Sequence, residues 1–187
     1  MFDSLIQKDK ELLIYLHSLG NEQWDSVWLF ITHQTNWIPL FAFIIFLIFK
    51  NFGWKKGGIL LLTLIIMVAF SDQFTNLIRG TFERLRPNND TSINHLLRRL
   101  INPQSYSFTS GHATTSTAFT VFIILLFRSK YKHIKWMLLF PIIFAYSRIY
   151  LGVHFPIDIL IGFCVGTTIG WLFYNLFLLF EKRFLTS

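Results

Sequence analysis

The 187-residue sequence predicts an all-α, polytopic transmembrane helix bundle of five to six spans, preceded by an amphipathic helix lying at the membrane interface. Three observations predict it. Only 14% of the residues are charged, against roughly 25% in an ordinary soluble domain. Hydrophobic residues make up 53% and mean hydropathy is +0.49. The apolar residues also come in continuous blocks, not in the alternation of a half-buried strand. A single domain over residues 1–187 follows from the length, and five prolines and ten glycines are too few and too scattered for a linker or a low-complexity tail. A formal charge of +7 and a pI near 9.7 would suit nucleic acid, but the basic residues sit between apolar blocks. Membrane lipid is therefore the expected partner, and nucleic acid is not. The single cysteine, Cys164, cannot form an intramolecular disulfide and reads as a packing residue.

In chain order, the first element is amphipathic. Phe2, Leu5, Ile6, Leu12, Leu13, Leu16 and Leu19 recur at roughly helical spacing, interrupted by Lys8, Asp9, Lys10 and Glu11. A helix in the interface fits this pattern, and a signal peptide is not expected, because no uninterrupted apolar core precedes a small-residue cleavage site. Residues 24–32 leave a sixth crossing open. The apolar blocks proper are 37–49, 59–70, 118–127, 136–146 and 157–180. All but the last fall short of the roughly 20 residues that cross about 30 Å of hydrocarbon. Each must extend into polar flanks. The first reaches back through His33, Gln34, Thr35 and Asn36, the second continues through Ser71, Asp72, Gln73 and Asn76, and the third starts near Gly111. Polar groups at membrane depth are tolerated mainly inside a bundle or beside a watered cavity, so chemistry is expected at these ends.

Basic residues set the direction. Lys50, Lys55, Lys56, Arg128, Lys130, Lys132, Lys135, Lys182 and Arg183 follow alternate spans and mark the cytoplasmic side. The other side receives residues 80–109 and the turn at 152–156. It carries Arg79, Arg84, Arg86, Arg98, Arg99 and Arg148 but no lysine. Guanidinium forks match phosphate oxygens, which points to an outward-facing anion site.

Three constellations fall on that side. Arg79 and Arg86 are close to two helical turns apart and would project from one face if the second span continued that far, with Pro87 limiting the helix. Such a pair either grips one phosphate or snorkels to lipid headgroups. In the second, Ser110 is a favoured helix N-cap, Gly111 admits close approach, and His112 sits in the first turn beside amides that favour anions. In the third, Pro156 suits a first helical turn, which puts His154 just ahead of it and Asp158 one turn beyond. A carboxylate there can take the proton of one imidazole nitrogen and free the other to attack, or it can simply tie two spans together. Asp72 and Asn76, one turn apart before Arg79, read as structural support, and His95, Tyr106 and Phe108 belong to a loop at 88–107 that reads as surface.

These motifs resemble those of the type-2 phosphatidic-acid phosphatase family, whose pattern is Lys-x6-Arg-Pro, Pro-Ser-Gly-His and Ser-Arg-x5-His-x3-Asp. Residues 79–158 carry all three in order, with Arg79 where lysine is usual and Thr109 where proline is usual. The resemblance implies a membrane lipid phosphatase with His154 as nucleophile forming a phosphohistidine, Asp158 as its orienting partner and His112 as general acid. It implies that Arg79, Arg86, Ser110, Gly111 and Arg148 bind phosphoryl oxygens. The implied substrate is a lipid phosphomonoester or pyrophosphate of the phosphatidic acid, phosphatidylglycerol phosphate or undecaprenyl pyrophosphate type. The implied location is a bacterial inner membrane, with the site facing the periplasm or exterior. No cofactor and no metal are expected: beside Asp158 only Asp72, Glu83 and Asp90 could add carboxylates, and neither a Gly-x4-Gly-Lys-Ser/Thr loop nor a His-Glu-x2-His motif occurs. A lipid phosphotransferase would use the same residues. A non-catalytic transporter or scaffold would explain the intramembrane polar groups but not the His-x3-Asp pairing.

Overall fold

The computed structural model describes residues 2–184; residues 1 and 185–187, and the side chain of Phe2, lie outside it. The described residues form six α-helices: α1 (Phe2–Ser18), α2 (Glu22–Thr32), α3 (Ile38–Phe82), α4 (Gly111–Phe127), α5 (Leu139–Tyr150) and α6 (Pro156–Phe184). The fold is all-α, as the sequence predicts.

Helix α3 is two arms rather than one rod. At Gly53 the backbone takes φ 69° and ψ 179°, a conformation that glycine reaches without a Cβ penalty. The arms fold back on one another, so that Ile44, Leu47 and Ile48 share a core with Leu60, Leu64 and Met67. The α-helix of the first arm begins at Ile38, and the stretch reaches back through Gln34, Thr35 and Asn36 in another conformation. Gln34–Trp37 forms a 3-10 turn, because Asn36 and Trp37 donate side-chain hydrogen bonds to the Phe30 and Ile31 carbonyls at the end of α2, at 2.7 and 2.8 Å. Helix α2 has 11 residues, about 17 Å at ~1.5 Å per residue, well short of a bilayer core.

Two stretches, Gln34–Asn89 and Pro156–Phe184, are long and apolar enough to cross a membrane, while Gly111–Phe127 is apolar but shorter. Within the most apolar windows of the two long stretches only 28% and 22% is buried in the protein. The core helix of a soluble protein would be mostly covered, and outward-facing Leu62, Ile65, Ile66, Leu160, Trp171 and Leu179 form an apolar exterior that suits lipid.

Helix α4 is the buried centre, packed against α3, α5 and α6. Its approach to α6 is close because Gly162, Gly166 and Gly170 recur every fourth residue along the contact. A Cβ at 166 would stand 2.3 Å from the Thr114 carbonyl oxygen, and one at 170 would stand 2.5 Å from that of Ala118. With that stripe turned inward, Cys164 faces out and is exposed, which corrects its reading as a packing residue.

The basic segments converge on one end. Lys56 pairs with Glu181, Asn51 donates to the Tyr131 hydroxyl at 2.8 Å, and Lys130 lies over the Phe52 ring at 5.2 Å. At the opposite end α1 packs through Asp9, Leu13 and His17, four residues apart on one face, and leaves Leu5, Leu12, Tyr15 and Leu19 exposed. The amphipathic helix is therefore present, but its protein-facing side carries buried polar groups.

The α4–α6 contact gives a direct test. Gly166→Ala should destabilise the folded protein by about 1–3 kcal/mol, the range for overpacking, because backbone rather than a mobile side chain must give way. Gly58→Ala, with nothing within 4 Å of the added carbon, should be neutral or stabilising by up to about 1 kcal/mol through helix propensity. Thermal unfolding in detergent compares the two.

Candidate active site

Three backbone features aim the polar side chains. Helix α3 stops at Phe82, where Glu83 adopts the left-handed conformation (φ 48°) and its N–H bonds back to the Arg79 carbonyl at 2.9 Å. Arg86 is already extended, with φ −72° and ψ 153°, as the residue before a proline prefers. The helix therefore does not carry Arg79 and Arg86 on one face, which corrects the expectation from their spacing. Arg79 comes from the last turn of α3 and Arg86 from the segment beyond it, yet both line the same cavity. Ser110 caps α4 as predicted, its Oγ accepting from the Ala113 N–H at 3.4 Å. Gly152, at φ 64°, makes the turn after α5, and Pro156 opens α6 with His154 just ahead of it.

A cavity of about 760 Å³ lies between the α3 hairpin, α4 and α5. Arg79, Arg86, Gly111, His112, Arg148 and His154 line it together, as do Asp72 and the apolar Phe41, Ile44, Leu61 and Leu64. Ser110 and Asp158 stand behind this lining and are fully buried. Both histidines thus open on one space.

Hydrogen-bond partners fix how each ring carries its proton. His154 Nε2 lies 3.0 Å from Arg86 Nη1. Guanidinium can only donate, so Nε2 accepts and the proton sits on Nδ1, which faces Asp158 Oδ2 at 3.5 Å. His112 is the reverse: its Nε2 lies 3.3 Å from the Thr32 carbonyl oxygen, which can only accept, so Nε2 holds the hydrogen. Its ring stacks on Phe144 with centroids 4.5 Å apart.

The arginines are held chiefly by uncharged acceptors. Arg86 donates to the Ser105 carbonyl (2.6 Å), the Ser105 hydroxyl (2.9 Å) and the Val153 carbonyl (3.0 Å). Arg79 donates to the Thr109 carbonyl (3.1 Å) and to Asn76 (3.2 Å), whose amide in turn donates to Asp72 (3.3 Å). Asp72 and Asn76 are the support the sequence suggested. Arg148 donates to the Thr32 hydroxyl at 2.6 Å. Their positive charge stays available to an anion in the cavity. Burial, with the charges of Arg86, Arg148 and Arg79, holds His154 well below the ordinary histidine range. Burial, followed by repulsion from Arg79, lowers Arg86 to about 10, which leaves it charged at neutral pH. Among the described residues no three His, Cys, Asp or Glu side chains converge to hold a metal ion.

Asp158 accepts from the Phe155 N–H at 2.9 Å and from Arg84 Nη1 at 2.7 Å. Arg84 spans two carboxylates, since its Nη2 donates to Asp9 at 2.7 Å, and its guanidinium lies 3.9 Å over the Phe155 ring. Asp9 also accepts from the Ile157 N–H at 3.0 Å. From the sequence Arg84 reads as one of six outward-side arginines with no contact assigned, Asp9 as a break in an apolar pattern, and nothing singles out Thr32. One signal does exist for Asp9: it shares a helical face with Leu13 and His17, and an acid beside a core leucine implies a buried cation.

The PAP2 superfamily model matches residues 60–181. The lipid A 4'-phosphatase of Bacteroides thetaiotaomicron is 31% identical over 93% of this chain and 79% of its own length. The undecaprenyl-diphosphatase of Sulfolobus acidocaldarius is 34% identical over 73% of this chain and 61% of its own length. The crystal structure of a transmembrane PAP2-type phosphatidylglycerolphosphate phosphatase from Bacillus subtilis shares the fold with a TM-score of 0.72, at 21% identity, covering 97% of this chain and 88% of that one. With the three motifs gathered on one cavity and the family match spanning more than half the chain, the protein belongs to the PAP2 superfamily and is a membrane lipid phosphatase of that family.

Proposed function

We propose that the chain hydrolyses a lipid phosphomonoester or pyrophosphate through a phosphohistidine on His154. The observation that carries this is the opening of both rings on one arginine-lined cavity, His154 with its Nε2 lone pair toward Arg86 and His112 with its Nε2 hydrogen toward the Thr32 carbonyl, contacts that a bound phosphate would replace. In the first step the His154 Nε2–P bond forms as the bond from phosphorus to the leaving oxygen breaks, and His112, entering the step as imidazolium beside the bound anionic phosphate, passes one proton to that oxygen and is left neutral. Asp158 stabilises the charge the ring then carries. In the second step water attacks phosphorus, His112 takes a proton from it, and the P–N bond breaks to release phosphate. Arg79, Arg86 and Arg148, with the first amides of α4 beside Ser110 and Gly111, neutralise the phosphoryl oxygens, the main demand of this chemistry.

The guanidinium groups are read as taking the place of a metal, so turnover is independent of divalent ions. The apolar wall formed by Phe41, Ile44, Leu61 and Leu64 beside the site suits acyl or prenyl chain. The two arms of α3 and helices α4, α5 and α6 are read as five crossings, with α1 lying in the outer interface and the site facing away from the basic, cytoplasmic end. Lipid A-type phosphomonoesters are the foremost candidate substrates, because that relative aligns over nearly the whole chain. Phosphatidylglycerol phosphate, undecaprenyl pyrophosphate and phosphatidic acid follow.

Phosphate release from these four lipids in detergent, without added acceptor, tests the reading. His154→Gln should cut turnover by roughly three orders of magnitude or more while leaving thermal unfolding unchanged. Full activity in the variant would refute the nucleophile, and phosphate appearing only with an added acceptor would make the chain a transferase. Turnover should persist in excess chelator; complete loss restored by a divalent ion would overturn the metal-free reading. Because the nucleophile must be unprotonated and its environment disfavours imidazolium, the acid limb of kcat/KM should fall below the usual histidine value of about 6.5. A pH profile measured on the best lipid checks this.

A further inference from the structure

We infer that Asp9 is a positioning residue for the phosphoryl-transfer step, acting on His154 through Arg84 and Asp158; the inference rests on the reading of His154 as nucleophile. The geometry is a chain of charges from the interfacial helix to the reacting ring. Asp9 Oδ2 holds Arg84 Nη2 at 2.7 Å, Arg84 Nη1 holds Asp158 Oδ1 at 2.7 Å, and Asp158 Oδ2 faces His154 Nδ1 at 3.5 Å. The Asp9 side chain is only 1% exposed and that of Asp158 is not exposed at all. Asp9 lies outside residues 60–181, where the family match falls.

Charge arithmetic gives Asp9 its role. Arg84 and Asp158 alone sum to zero, so Arg84 offsets part of what the nearer Asp158 carboxylate offers to a ring that becomes positive when phosphorus joins Nε2. With Asp9 the three groups carry one net negative charge, and it lies on the Nδ1 side of the ring. The remaining charged and titratable groups facing His154 are Arg86 from the segment before α4, Arg79 from α3, Arg148 from α5 and His112 from α4. Those arginines oppose positive charge on the ring. Among the described residues, Asp9 is the only acid besides Asp158 that this chain of contacts connects to His154. Its second oxygen also fixes its place, taking the Ile157 N–H at 3.0 Å and so locking the carboxylate to the first turn of α6, where Asp158 resides.

Asp9→Asn separates charge from shape. The amide oxygen can still accept one of the two hydrogen bonds, so the variant loses the negative charge and one acceptor while keeping the shape of the side chain. On the full chain in detergent, with lipid A as the probe, kcat should drop about ten- to a hundredfold with KM nearly unchanged, the scale for a partner that orients a reacting group. The acid limb of kcat/KM should move toward lower pH, because removing a negative charge makes the imidazolium harder to form. Asp9→Glu should keep the wild-type limb and recover most of the rate. A second readout needs no turnover: ¹⁵N NMR of the histidine rings should show the His154 midpoint falling in Asp9→Asn.

Unchanged kcat and an unmoved midpoint in Asp9→Asn, with His154→Gln inactive, would overturn the inference and leave the nucleophile standing. Loss of rate with a lowered unfolding temperature and an unmoved or rising midpoint would reduce Asp9 to a structural contact and likewise overturn it. Activity in His154→Gln would instead sink the reading on which the inference rests.

Discussion

A carboxylate with no surface in contact with solvent must be neutralised by its neighbours, and Asp158 is such a group. Its two oxygens accept from Arg84 and the Phe155 N–H and lie 3.5 Å from Nδ1 of His154, and its backbone carbonyl accepts the Ser110 N–H at 3.1 Å. One residue thereby joins the start of α6, the turn that carries His154, the segment that follows α3 and the cap of α4. Removing the charge would leave Arg84 facing Asp9 alone and His154 without its acid. Removing the backbone contact would free the α4 cap from the α6 turn. The site's architecture depends on satisfying that buried charge.

The arginines pose the converse problem. Arg79, Arg86 and Arg148 line one cavity and repel each other, and Arg86 and Arg148 are almost wholly buried. Backbone carbonyls and hydroxyls offset part of the cost: Arg86 alone engages Ser105 twice and Val153 once. Such acceptors orient a guanidinium without cancelling its charge, which carboxylates would do. Fixed, uncompensated positive charge in a partly apolar cavity stabilises a developing phosphoryl anion more than water can, because little reorganisation is needed when the charge appears. Thr32 serves the same economy. Its hydroxyl holds Arg148 and its carbonyl sets the His112 tautomer, so the end of a short helix outside the bundle core governs two site residues at once.

Close packing of α4 on α6 makes this arrangement rigid. The glycine stripe at 162, 166 and 170 lets backbone meet side chain and backbone directly, and Gly162 lies against Ala113 and the Ser110 carbonyl at the site end of the contact. The hairpin of α3 then closes the cavity on its apolar side. The same framework leaves broad aliphatic and aromatic surface outside, which suits a lipid environment.

Much of this was legible in the sequence because it is local. Apolar blocks, the Ser110 cap, Pro156 at the head of α6 and the four-residue interval from His154 to Asp158 are short-range patterns with short-range physical causes, and each appears as read. Periodicity misled where a helix ended sooner than its composition suggests. Glu83 turns left-handed and Arg86 runs extended into Pro87, so Arg79 and Arg86 meet through the tertiary fold rather than along one helix face. Cys164 faces outward because glycines claim the inner face of α6, a matter of which neighbour lies where. Asp9 and Arg84 stand 75 positions apart, and no local rule couples the N-terminal helix to a loop arginine. The sequence by itself determined the helical class, the apolar blocks and the chemical groups on offer, since these follow from composition and neighbours within a turn or two. Only the tertiary structure decided which charges share one buried space, because burial and charge pairing are properties of elements brought together from across the chain.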